Sequence, residues 1–125
     1  MMFDTDVLIW ASRGNLRAAR VIDAAADREI SIVSLMELLQ GSRSKLEVRQ
    51  IQQSLRQLQF RILPLSEPIG AVAAALIEQY SMAHGIQLAD ALIAATALES
   101  GLPLYSGNVK HFRPIRALSR VAFRP

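Results

Sequence analysis

A chain of 125 residues with no cysteine and no apolar run long enough to cross a bilayer reads as one globular domain, residues 1–125, with disulfide, thiolate-metal and membrane-spanning chemistry excluded. Half of its residues are apolar, enough to build a core and to argue against disorder. The net charge of +3 rests on twelve arginines and two lysines. Arginine favours phosphate and carboxylate partners, although a charge of this size is also met on an ordinary solvated surface. The first apolar run carries two aspartates and no basic leader, so no signal peptide is expected. With the lack of cysteine, this suits a reducing, cytoplasmic setting.

In chain order, Phe3 to Trp10 reads as a short buried strand followed by a Ser-Arg-Gly-Asn turn, and Leu16 to Asp27 as a helix. Glu29 to Ser34 reads as a second strand, and from Ser34 a helical pattern runs to a stop at Gly41. Leu46 to Phe60 is amphipathic, its stripe formed by Leu46, Ile51, Leu55 and Leu58. Arg61 to Leu65 is a strand. Glu67 to His84 is an alanine-rich helix with Pro68 in its first turn and Gly85 at its end. Leu88 to Ser100 is a helix stopped by Gly101. Pro103 to Ser106 is a strand, followed by the loop SGNVKHF, and Arg120 to Phe123 is an edge strand. This alternation implies a three-layer α/β/α fold around a parallel sheet of four to five strands. Such sheets bind ligands beyond the carboxyl ends of their strands, where strand order reverses.

Three acids interrupt runs that otherwise read as buried: Asp4 in MMFDTDVLIW, Glu37 in ISIVSLMELLQG and Asp90 in IQLADALIAATAL. A carboxylate in an apolar setting must neutralise or find a partner. None of the three runs contains a lysine or arginine. Structural roles compete with chemical ones. Ser34 to Glu37 fits a capping box, with Glu37 bonding back to the Ser34 backbone. Asp90 suits the first turn of a helix. Asp4, in the middle of a strand signal, has the weakest structural reason to be there. Asp6 would point the same way as Asp4 and either serve as an outer ligand or bond loop amides, while Thr5 faces the opposite side or bonds backbone. Ser34, Thr96, Ser106 and Asn108 are polar residues near the rim, each suited to a cap or turn. Brought together, the acids repel one another, and Mg²⁺ or Mn²⁺ resolves the repulsion while activating water and steadying charge on a phosphoryl oxygen.

The segments FDTDVLIW, ISIVSLMELLQG and LADALIAATALESGLPLYSGNVKHF, in this order and spacing, resemble the PIN-domain family, and within it the VapC-type toxin ribonucleases of bacterial toxin–antitoxin pairs. The resemblance implies a PIN fold and an endoribonuclease dependent on Mg²⁺ or Mn²⁺. Asp4, Glu37 and Asp90 match the family's first three acidic positions. The fourth falls in SGNVKHF, where Asn108 is the nearest match and His111 stands where some relatives carry an acid. The resemblance also implies a homodimer and a cognate antitoxin protein, with the Leu46–Phe60 and Glu67–His84 helices as places for their grooves.

The resulting expectation is hydrolysis of an RNA phosphodiester. Asp4 and Asp90 hold the cation, Glu37 ligates it or acts through water, and Asn108 positions a water or the phosphate. Arg13, Lys110 and Arg113 meet RNA phosphates. Two rivals have different requirements. A receiver-like phosphoacceptor domain needs an aspartate borne on a strand and a lysine such as Lys110. A non-catalytic α/β binding module needs its acids only as caps. No P-loop, dinucleotide fingerprint, HExxH or G-x-S-x-G is present.

Overall fold

The computed structural model describes all 125 residues. The elements are β1 (Met2–Phe3), α1 (Thr5–Ser12), α2 (Leu16–Ala24), β2 (Glu29–Ser31), α3 (Ile32–Gln40), α4 (Lys45–Gln57), β3 (Arg61–Leu63), α5 (Glu67–His84), α6 (Leu88–Ser100), β4 (Leu104–Ser106), α7 (Val109–Phe112) and β5 (Arg120–Ala122). The five strands form one sheet in the order β3-β2-β1-β4-β5. Every pairing is parallel. The three-layer α/β/α expectation therefore holds.

Successive strand residues point to opposite faces, and each face has its own core. Met2 and Leu104 join Ile69, Ala73, Leu76, Ile93 and Phe112 on the side covered by α5, α6 and α7. Phe3 and Ile30 join Val7, Ala18, Ile22 and Leu55 on the side covered by α1, α2 and α4. The ring of Phe3 lies 5.9 Å from both Phe60 and Tyr105.

Sequence signals place α5 and α6 to the residue, because each ends at a glycine in the left-handed conformation (Gly85 φ 66°, Gly101 φ 64°) that side chains resist. The first segment departs from expectation. Only Met2 and Phe3 are strand, and Phe3 to Trp10 is mostly the helix α1, with Asp4 as its N-cap and Asp6 in its first turn. Val7 to Trp10 follow one another without a polar residue, and such a run carries no period to separate strand from helix. Asp4 is thus at a strand-to-helix junction, not in mid-strand. The helix after β2 begins at Ile32 and is capped by Ser31, whose Oγ accepts from Val33 N at 3.0 Å. The expected capping box at Ser34 does not form. The loop SGNVKHF contains the short helix α7. Of the stripe from Leu46 to Leu58 only Leu55 is buried, and Leu46 is exposed.

Chain order reverses between β1 and β4. From β1 the chain proceeds outward through β2 and β3, then crosses by α5 and α6 to β4 on the other side of β1. A crevice beyond the carboxyl ends of β1 and β4 follows from this topology. Ser31→Ala removes the true cap of α3 and is expected to cost about 1 kcal/mol by the usual worth of a serine cap. Chemical denaturation of the two proteins measures it.

Candidate metal and nucleic-acid site

Asp4 leaves β1 directly into the crevice. Its backbone N–H donates to Tyr105 O at 2.9 Å, which fixes it beside β4. The residue is 5% exposed. Its Oδ1 accepts from Thr5 N at 2.8 Å, and its Oδ2 accepts from Ser106 Oγ at 2.6 Å. Ser106 in turn accepts from Asn108 N at 2.9 Å. A relay of bonds thus runs from the loop after β4 to the carboxylate at the end of β1.

Neither bond supplies a positive charge. The ion pairs of the molecule are Met1–Glu29, Arg61–Glu29 and the His111–Asp90 contact, and none involves Asp4, Asp6 or Glu37. Burial dominates, and together with the neighbouring charges of Asp6 and Asp90 it pushes the Asp4 carboxyl up to about 7 against the two hydrogen bonds that pull it down. Asp6 is also raised, chiefly by burial. Its Oδ2 accepts from Gly107 N at 2.9 Å, as expected of a group bonding loop amides, while its Oδ1 is buried without a partner.

Glu37 arrives from α3. Contrary to the sequence reading, it is exposed and does not bond to the Ser34 backbone. Its Oε1 lies 2.7 Å from Thr5 Oγ1, which also lies 2.9 Å from Ser34 Oγ. Thr5 has one proton, and the carboxylate is the stronger acceptor, so Thr5 donates to Glu37 and Ser34 donates to Thr5. Thr5 therefore faces the site, where its sequence position suggested the opposite side. Ser34 is fully buried beneath it.

Asp90 sits in the first turn of α6. Its Oδ2 lies 2.8 Å from His111 Nδ1, and the same nitrogen lies 3.0 Å from the side-chain amide of Asn108. Thr96 is turned away, donating to Leu92 O within α6.

The three acids thus reach one rim. Asp4 feels the charge of Asp90, and Thr5 links Asp4 to Glu37. They are not packed against one another. No three aspartate, glutamate or histidine side chains are gathered tightly enough to hold an ion by themselves. The donor set still fits a hard dication held by one or two carboxylates with waters retained. A nearly buried Asp4 without a basic partner and an orphaned Asp6 oxygen are the observations behind that fit.

Lys110 is exposed on α7, two residues past Asn108. Arg13 caps the far end of α1, about 13–14 Å along the helix from Asp4. Arg113 lines a separate groove of about 790 Å³ with Leu76, Tyr80, His84 and Arg116. Sequence reasoning passed over Thr5 and Ser106 as site residues. Their only local signal was a hydroxyl beside an acid or at a strand end. No strand contains an aspartate, which removes the requirement of a receiver-like site.

The PIN domain family model matches residues 1–114. Ribonuclease VapC10 of Mycobacterium tuberculosis is 38% identical over 116 residues, 90% of this chain and 85% of that protein. A toxin-antitoxin complex from Klebsiella pneumoniae has a chain that superimposes with a TM-score of 0.82 at 29% identity, covering 97% of this chain and 95% of that one. VapBC2 from Rickettsia felis, bound to a DNA fragment from their promoter, gives a TM-score of 0.81 at 23% identity over 98% of each chain, a likeness of fold. No helix is long and apolar enough to cross a membrane.

Two predictions follow from the Asp4 and Gly107 environments. The folded Asp4 titrates near 7 and the unfolded one near 3.8, so its contribution favours folding below 3.8 and is lost as pH rises through 7. In chelator, the melting temperature of the protein is expected to fall over that window by more than that of Asp4→Asn, as scanning calorimetry would show. A Cβ at Gly107 would lie 2.8 Å from Asp6 Oδ2 and 3.1 Å from Phe123 O. Gly107→Ala is therefore expected to displace Asp6 and cost about 1–3 kcal/mol, the usual range for overpacking, in denaturant titration.

Proposed function

The chain belongs to the PIN-domain family, and we propose that it is an endoribonuclease dependent on Mg²⁺ or Mn²⁺, acting as the toxin of a type II toxin–antitoxin pair. The observation that carries the metal-dependent reading is Asp4: a carboxylate buried at the switch point of a parallel sheet, charged neighbours on one side, no cation of the protein beside it. Its 38% identity to a protein named as a ribonuclease supports RNA as the substrate, and the fold shared with a toxin-antitoxin complex supports a cognate antitoxin.

Asp4 and Asp90 would hold the dication, with Glu37 ligating it or reaching it through water. When bound, such an ion lowers the pKa of a coordinated water and offsets charge on the scissile phosphate. The protein's own residues do the rest. Ser106 fixes the Asp4 carboxylate and excludes water from one side of it. Thr5 holds Glu37 by one oxygen and leaves the other facing solvent, where it can take a proton from an approaching water. Asn108 stands at the head of α7, where it can orient that water or the phosphate. Lys110 is the basic residue nearest this rim in sequence, while Arg13 and Arg113 would act only on RNA that extends beyond it. A homodimer in the cytoplasm, with the amphipathic faces of α4 and α5 available for a second copy or the antitoxin, completes the proposal.

Purified protein incubated with single-stranded RNA and Mg²⁺ or Mn²⁺ is expected to cleave it, and EDTA to stop cleavage. Asp4→Asn and Asp90→Asn are expected to lower the rate by more than about a hundredfold, beyond the usual loss for outer ligand partners, while circular dichroism stays unchanged. Undiminished cleavage in EDTA, or by either variant, would sink the proposal.

A further inference from the structure

Positive charge is gathered away from the acids. Five of the fourteen basic residues and none of the eleven acidic ones follow Ser100. These five, Lys110, Arg113, Arg116, Arg120 and Arg124, are all exposed. Arg113 and Arg116 stand on one wall of the groove of about 790 Å³. The other wall is α5, with Leu76, Gln79, Tyr80 and His84, and no acid lines the space. Neither arginine forms an ion pair. Arg28, by contrast, is tied to the fold by bonds to the carbonyls of Ile22, Asp23 and Leu58. The backbone under Arg113 and Arg116 is fixed all the same. Phe112, Ile115 and Leu118 are buried around them, and Pro114 restricts the chain between them. Their guanidiniums are thus held at the groove with donors to spare.

On the α5 wall the Tyr80 and His84 rings lie 6.0 Å apart, tilted by 57°. Tyr80 packs against the core and His84 is exposed. Flat rings beside unpaired guanidiniums match an unstacked base and its phosphates. An acidic protein segment would use the guanidiniums and leave the rings without a planar partner. The groove also continues the rim. Arg113 caps α7, whose head is Asn108, about 7–8 Å away along that helix. His84 ends α5, and only Gly85 to Gln87 separate it from α6, which carries Asp90 in its first turn. Resting on the ribonuclease reading above, we infer that this groove docks single-stranded RNA. A base sits against Tyr80 and His84, flanking phosphates sit on Arg113 and Arg116, and the scissile bond lies at the rim.

The test uses the whole protein and a fluorescent single-stranded RNA of mixed sequence, about 20 nucleotides long, which exceeds a typical single-strand site. Anisotropy in EDTA reads binding without cleavage. Arg113→Gln with Arg116→Gln is expected to weaken binding about tenfold or more. The slope of log affinity against log salt is expected to fall by about 1.4, the share of two phosphate contacts on a single strand. Tyr80→Leu is expected to weaken binding about fivefold or more with the slope unchanged, and Tyr80→Trp to restore it. Arg49→Gln with Arg56→Gln removes the same charge from exposed positions of α4, on the other face of the sheet, and is expected to leave the slope unchanged. Both arginine pairs are on the surface, so they decide the matter even if a Tyr80 variant fails to fold. Equal losses for the two pairs overturn the groove assignment, as does a duplex bound as tightly as the single strand. Polyglutamate bound as tightly as RNA overturns it in favour of an acidic protein partner. The same proteins are assayed for cleavage with Mn²⁺. Cleavage by wild type with binding that ignores the groove sinks the groove alone. Binding that depends on the groove, without any cleavage, upholds the groove and sinks the ribonuclease reading.

Discussion

Desolvation of the Asp4 carboxylate is the constraint that the rest of the rim answers to. The group caps α1 through Thr5 N and accepts from Ser106, so it is satisfied in hydrogen bonds yet not in charge. The N-terminus of α1 offers partial positive charge, but burial outweighs it, as the upward displacement of the acid's pKa shows. A fold that only needed a helix cap here could use serine or asparagine without this cost. Retaining an aspartate places an acid that no cation of the protein balances at the point where chain order reverses.

The surrounding residues keep that charge in place. Ser106 ties the end of β4 to the end of β1, and its backbone carbonyl accepts from Phe123 N, which brings the segment after β5 against the same loop. Gly107 lets the chain pass Asp6 so closely that a side chain there would collide with the carboxylate. The stretch Ser106–His111 therefore has little freedom: a hydroxyl for Asp4, an absent Cβ for Asp6, an imidazole against Asp90 and the Asn108 amide against that imidazole. The atoms that hold this loop are the same ones that face the proposed site, the usual arrangement where a site stores strain or unpaired charge.

Local physics made much of this legible in the chain. Apolar periodicity with terminal glycines located α5 and α6, and the alternation of elements gave a parallel sheet with a rim at its strand ends. What escaped depends on distance along the chain. The Thr5–Glu37 contact joins residues 32 apart and the Ser106–Asp4 bond residues 102 apart, so neither leaves a local pattern. Asp90 and His111 meet only because α6 and α7 pack together. Two local patterns also misled. In FDTDVLIW the apolar residues Val7 to Trp10 follow one another without a polar break, so its period is silent although Trp10 is exposed. Ser34-x-x-Glu37 satisfies the capping formula, but Ser31 lies at the junction itself and takes the cap, which frees Ser34 to turn inward beneath Thr5.

The contrast between Asp4 and Glu37 bears on how one rim could divide its labour. Two carboxylates in the same solvent would compete for the same role. Here one is buried between strands and the other is exposed, held by a single hydroxyl. A desolvated carboxylate gains most from a bound cation, because water no longer competes for its charge. A hydrated carboxylate can accept a proton from water and return it to solvent. Different environments for like groups are how enzymes assign unlike tasks. In the proposed hydrolysis, burial makes Asp4 the anchor and exposure leaves Glu37 free to act on water. Exchanging their surroundings would remove both roles, although every residue type would be unchanged.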